Sequence, residues 1–226
     1  MSIQKNARLA GALYLVIVVL GIFSLQYVPG KLIVSGNAEA TWQNLKSFEG
    51  LFRAGILAEV LTQLTFLIMA FALYRLFVSV NKDAAVYLVC LVVIGTVLAF
   101  VSLSHKLSVL TLLNTPLGLS DTETARQAFL YMKQYGNQIT LATIFWGLWL
   151  FPFGYLVYHS GFLPRLLGVL LMVGCFGYVF NFIGIVLLPD YRQLSWSGYV
   201  TLPASISELA ICLYLTVMGV RKSHRG

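Results

Sequence analysis

The sequence predicts an all-α, polytopic membrane protein: six transmembrane helices in one domain over residues 1–226, with both termini on the inner side. Three observations lead there. Hydrophobic residues fill 59% of the 226 positions and charged residues only 10%, whereas soluble domains carry about 25% charged residues and under half apolar. The apolar residues gather in six runs, each near the ~20 residues needed to cross a hydrocarbon core. The cations sit singly at the ends of those runs, where they orient helices in a membrane. A formal charge of +7 scattered in this way forms no phosphate-tracking patch, so no nucleic-acid partner is expected.

The first span, residues 7–28, reads ARLAGALYLVIVVLGIFSLQYV. It follows Lys5 and Arg8 as a signal peptide would, but exceeds the ~7–15 apolar residues of a signal core and lacks a small-x-small cleavage site. A retained first span is therefore expected. The second span covers residues 51–78 and the third 84–113, long enough to tilt. An outer helix over 121–134 follows, because Ser120 and Glu123 have the spacing of a capping box. It is amphipathic and is expected to break near Gly136 before the fourth span, 135–158, which Pro152 should kink. The fifth span, 164–188, opens on Pro164, tolerated in a first turn. The sixth is 200–220. Trp42, Tyr191, Trp196 and Tyr199 fall where interfacial aromatics belong. Cys90, Cys175 and Cys212 lie inside apolar runs without CxxC or Cys/His spacing, and read as small buried hydrophobes.

Orientation follows from Lys and Arg near the span ends. With the N-terminus inside, the inner side carries Lys5, Arg8, Arg75, Lys82, Arg165, Arg221, Lys222 and Arg225, opposed only by Asp83. The outer cations Lys31, Lys46, Arg53, Lys106, Arg126, Lys133 and Arg192 are largely offset by Glu39, Glu49, Asp121, Glu123 and Asp190. His159 and His224 fall on the inner surface. This places a multi-pass protein in the cell membrane, with membrane lipids as its first partners.

Five stretches together carry a resemblance: ARLAGALYLVIVVLGIFS, LFRAGILAEVLTQLTFLIMAFALYRLFVSVNK, FWGLWLFPFGYLVYHSGFLPRLLGVLLMVGCFGYVFNF, LLPDY and ISELAICLYLTVMG. In order and over nearly the whole chain, they resemble the bacterial integral membrane proteins of the domain of unknown function 4386 family. GYLVYHSGFLPRLLGVLL is the most specific part. The resemblance implies a six-helix domain in the cell membrane and acidic residues at the positions of Glu59 and Glu208. It also implies an arginine where this chain has Cys90 and a histidine where it has Gln134.

Glu59 and Glu208 are the two acids inside spans. A charge at a helix centre costs roughly 2.5–3.5 kcal/mol on insertion scales, so such groups usually face a bundle interior and mark function. Each lies about eight residues into its span from the outer side, roughly 12 Å deep. Helical spacing puts Gly55, Glu59, Thr62, Gln63 and Phe66 on one face, and Thr201, Ser205, Glu208 and Cys212 on another. Ser102 and His105 stack on the third span. Asn137 and Gln138 open the fourth, and Asn181 sits late in the fifth. Trp146 and other aromatics are placed to line a cleft in the outer half that Glu59 and Glu208 share. The same residues also read as packing groups: the acids as neutral helix-to-helix hydrogen bonders, or as carboxylates paired with Arg53 or Lys106.

No P-loop, GxGxxG after a strand, HExxH or GxSxG occurs, so no cofactor is expected. Glu59, His105 and Glu208 lack a ligand spacing signature, and no metal is assigned. Three functions compete. The first is a binder, sensor or carrier of a lipid-soluble or cationic small ligand, with His105, Gln63, Thr62, Asn137, Asn181, Ser205 and Trp146 around it. The second is an intramembrane enzyme using Glu59 and Glu208 as an acid/base pair on a lipid or isoprenoid substrate. The third is a structural accessory subunit.

Overall fold

A computed structural model describes residues 3–220. The described residues form helices and connecting turns, with no strand among them. Six helical stretches are long and apolar enough to cross a membrane: Ile3–Leu32, Glu49–Phe77, Lys82–Asn114, Asp121–His159, Arg165–Leu187 and Ser197–Val217. Arg221, Lys222, His224 and Arg225 lie outside the described residues.

The first span outruns its expected end at residue 28. Helix α1 (Ile3–Ile22) widens into a π-turn (Phe23–Tyr27) and continues as α2 (Val28–Leu32). Pro29 accounts for the widening. A proline ring clashes with the carbonyl four residues back, and here the Val28 N–H bonds the Phe23 carbonyl five residues back instead. A turn at Gly36, φ +73°, then leads to Asn37. The Asn37 side chain accepts from the Ala40 N–H at 2.9 Å and starts α3 (Ala38–Ser47). Helix α4 (Glu49–Phe77) begins with Glu49 paired to Arg53 one turn on, at 2.6 Å.

Asn81 caps α5 (Lys82–Asn114) by accepting from the Ala84 N–H at 2.9 Å. The capping box forms as expected: the Ser120 N–H donates to Glu123 at 2.9 Å and the Glu123 N–H to Ser120 Oγ at 3.3 Å. The helix it starts, α6 (Asp121–Leu148), does not break near Gly136. A glycine costs about 1 kcal/mol against alanine in a helix, and interrupting backbone hydrogen bonds in apolar surroundings costs several times that. The interruption falls instead at Trp149, before α7 (Leu150–His159). Pro152 has no N–H to offer the Leu148 carbonyl. The ladder is carried past it by Trp149 N–H to Phe145 O and Phe153 N–H to Trp149 O, both 3.2 Å. Gly161, at φ +71°, reverses the chain, and Pro164 precedes α8 (Arg165–Leu187). Two 3₁₀ turns, Tyr191–Gln193 and Ser197–Tyr199, lead to α9 (Leu202–Val217).

Contacts divide the chain into two units. Unit 1 comprises Met1–Leu15, Thr65–Thr96 and Leu141–Gly226, and unit 2 comprises Val16–Leu64 and Val97–Thr140. Unit 2 has a core built on Val28, Leu32, Leu45, Phe52, Val109 and Ala128. Trp42 belongs to it and is 5% exposed. Its ring faces inward because α3 is a folded helix and not an open loop. Unit 1 is held by glycine contacts. The Cβ position of Gly154 lies 2.5 Å from the Gly168 carbonyl, and that of Gly174 lies 2.8 Å from the Ala204 Cα. Helices in lipid associate through such close backbone approach because no water is expelled between them. Tyr191 is buried against Gly184, while Trp196 and Tyr199 are exposed. Cys175 and Cys212 are buried; Cys90 is exposed on α5, so the apolar run around it did not fix its side. Leucines and valines such as Leu57, Leu166 and Val186 stand outward on the spans, as lipid solvation allows.

Candidate functional site

Unit 2 contains a buried charge cluster. Glu59 and Lys106 have side chains only 1% and 3% exposed, and Lys106 Nζ donates to Glu59 Oε2 at 2.6 Å. The Tyr135 hydroxyl reaches both Glu59 oxygens at 2.9 Å, and Nζ stands 4.0 Å from the centroid of the Tyr135 ring. One residue from each of α4, α5 and α6 is thereby tied together. Lys106, one of the two cations offered by the sequence as a partner for the span acids, is paired with Glu59. Coulomb attraction at 2.6 Å in low dielectric, with a phenol on the remaining lone pairs, offsets the desolvation of both ions. Arg53, the other candidate partner, is on Glu49.

Glu208, in unit 1, has different company. The Tyr14 hydroxyl donates to Oε2 at 2.9 Å and the Tyr178 hydroxyl to Oε1 at 3.2 Å. Neither Lys nor Arg contacts it among the described residues. Tyr14 leans on Trp149, centroids 5.8 Å apart, and Trp149 meets Phe66 edge-on and stacks on Phe153, both at 5.2 Å. Local packing sets this geometry. Gly11 brings α1 against Leu215 and Thr216, placing Tyr14, one turn on, beside Glu208. Gly147 leaves room for Tyr178. Glu59 and Glu208 thus hold separate partner sets, one in each unit.

The other sequence candidates scatter. Gln63 is buried one turn from Glu59, with Oε1 unpartnered. Thr62 bonds back to the Ala58 carbonyl at 2.8 Å. His105 stacks on Tyr131, centroids 6.3 Å apart, with Nε2 buried and unpartnered. Asn137 is exposed, Asn181 is half-buried on α8, and Ser205 is exposed, donating to the Thr201 carbonyl at 3.3 Å. Trp146 packs on Gly95, its Nε1 buried without a partner. No group of three or more His, Cys, Asp or Glu side chains gathers among the described residues. Sequence reasoning missed Tyr14 and Tyr135. A signal was present: a tyrosine deep in a span needs a partner for its hydroxyl, and carboxylates are scarce there.

Six apolar spans with buried carboxyl–phenol clusters define an integral, multi-pass membrane protein. Residues 9–219 match the family described as Domain of unknown function (DUF4386), and the chain belongs to that family. It is also similar to an uncharacterized protein of Archaeoglobus fulgidus, 28% identical over 85 residues, covering 38% of this chain and 48% of that protein. The match thus spans about half the length of that relative. No solved structure matches.

Proposed function

We propose that this chain is a membrane-embedded binder or small carrier of a cation, either a proton or a small ammonium compound, seated at Glu208. One observation carries the reading: Glu59 has its own counter-ion and Glu208 has none among the described residues. A carboxyl inside a span is costly unless its charge is met. Two phenols orient Glu208 but bring no charge, which leaves that role to a proton or a cationic ligand. Orientation is part of the proposal: Lys5, Arg8, Arg75, Lys82 and Arg165 support both termini inside, and a bacterial or archaeal cell membrane as the location.

A second reading rests on Gln63 Oε1 and His105 Nε2, both buried without partners. They suit a lipid-soluble ligand with a hydrogen-bonding polar group within unit 2. The enzyme reading ranks lower, because an acid/base pair needs a free base and Glu59 is engaged by Lys106 and Tyr135. The accessory-subunit reading draws on the same engagement, since a satisfied ion pair also fixes helix packing.

The test uses reconstituted full-length protein in vesicles. Proton entry is followed with an internal pH dye, and ethylammonium binding by native mass spectrometry. Glu208→Gln should abolish one of the two while the melting temperature stays within a few degrees of wild type. Unchanged uptake and binding in Glu208→Gln, or loss only together with folding, sinks the proposal.

A further inference from the structure

Unit 1 carries a groove of about 720 Å³ between α5, the end of α6, α7 and α8. That is within the usual range for ligand sites, roughly 300–1,000 Å³. Its walls change character along its length. Asn81 and Asp83, at the start of α5, form one end, and Leu91, Phe151 and Val179 line the remainder. From Asp83 to Leu91 is about 12 Å along the helix, close to the ~15 Å half-thickness of a hydrocarbon core. Tyr87 and Phe176 on the rim are 66% and 50% exposed, so the groove opens sideways from apolar spans, where the surrounding medium is acyl chain.

The polar end selects among lipids. Asp83 is the one charged side chain among the described lining residues, and no cation pairs with it there. Asn81 uses its carbonyl oxygen on the Ala84 N–H, which leaves its NH₂ free to donate. An acceptor for ammonium beside a donor for phosphate oxygen complements a zwitterionic, amine-bearing headgroup. An anionic headgroup would set its charge against Asp83.

We propose that this groove is a binding site for one acyl chain of an aminophospholipid of the phosphatidylethanolamine class, its ammonium on Asp83 and its phosphate within reach of Asn81. The site shares no residue with the Glu208 cluster, so either can fail alone.

The experiment is a native mass-spectrometric titration of the full chain in mild detergent. The probes are phosphatidylethanolamine and phosphatidylglycerol with identical acyl chains. Wild type should prefer phosphatidylethanolamine at least tenfold. Asp83→Asn should bring the two lipids to within about twofold. Leu91→Trp, which fills the apolar length, should lose at least tenfold for both at an unchanged melting temperature. If Leu91→Trp does not fold, Val179→Trp, on the facing wall of the groove, replaces it with the same expectation. Equal affinities in wild type, a preference surviving Asp83→Asn, or full lipid binding in the groove-filling variant each overturns the assignment.

Discussion

Removing the ammonium of Lys106 while keeping its bulk, as in Lys106→Met, isolates what the buried pair contributes. The Glu59 carboxylate would keep only the Tyr135 hydroxyl, with its side chain 1% exposed. Breaking a buried pair from one side costs roughly 3–5 kcal/mol, because a charge is left uncompensated. Each kcal/mol moves the midpoint of a chain this size by about 2–4 °C, so the variant should melt roughly 6–20 °C lower. Replacing both ions, Glu59→Leu with Lys106→Met, removes the orphaned charge and should recover most of the loss, since apolar substitutes for buried pairs are often neutral or better. In a Cys90→Ala background, which removes the exposed thiol, only the buried thiols Cys175 and Cys212 remain, so a thiol-reactive dye reports unfolding. A single-variant shift below about 2 °C, or a double variant no more stable than the single, would refute the view that Lys106 holds Glu59 in a buried pair.

Tyr135→Phe deletes a hydroxyl that reaches both Glu59 oxygens and should cost about 1–3 kcal/mol in the same dye assay. An unchanged midpoint would show that the phenol is dispensable. Gly147→Val places side-chain atoms where Tyr178 lies, so it should weaken cation binding at Glu208 as Tyr178→Phe does; full binding in Gly147→Val would separate Tyr178 from the site. Gly168→Leu drives a side chain into the Gly154 carbonyl and the Tyr158 backbone. Overpacking of this kind costs about 1–3 kcal/mol or more, and a stable, fully expressed variant would argue against the α7–α8 crossing. Asn37→Ala removes the α3 cap and should cost about 1 kcal/mol, read as faster amide exchange over residues 38–41.

The sequence by itself determined the membrane class, the number of spans and the Ser120–Glu123 cap. Each depends on composition, run length or one helical turn, which are local along the chain. It also singled out Glu59 and Glu208, because a carboxylate in an apolar run is conspicuous wherever it lies. It did not settle what each acid touches. Lys106 is 47 positions from Glu59 and Tyr14 is 194 from Glu208, and no periodicity links residues across such separations. The same limit explains Gly136 and Trp42. A glycine reads as a break only until apolar surroundings raise the cost of interrupting the helix. A tryptophan in a loop reads as surface-lying only until the loop folds into α3 and the ring is buried. The groove was invisible for a related reason: its walls come from four separate helices, each of which is ordinary apolar sequence. Tertiary structure alone decided that one acid has a counter-ion and the other has none among the described residues, because charge compensation is a property of three-dimensional neighbours and not of chain order.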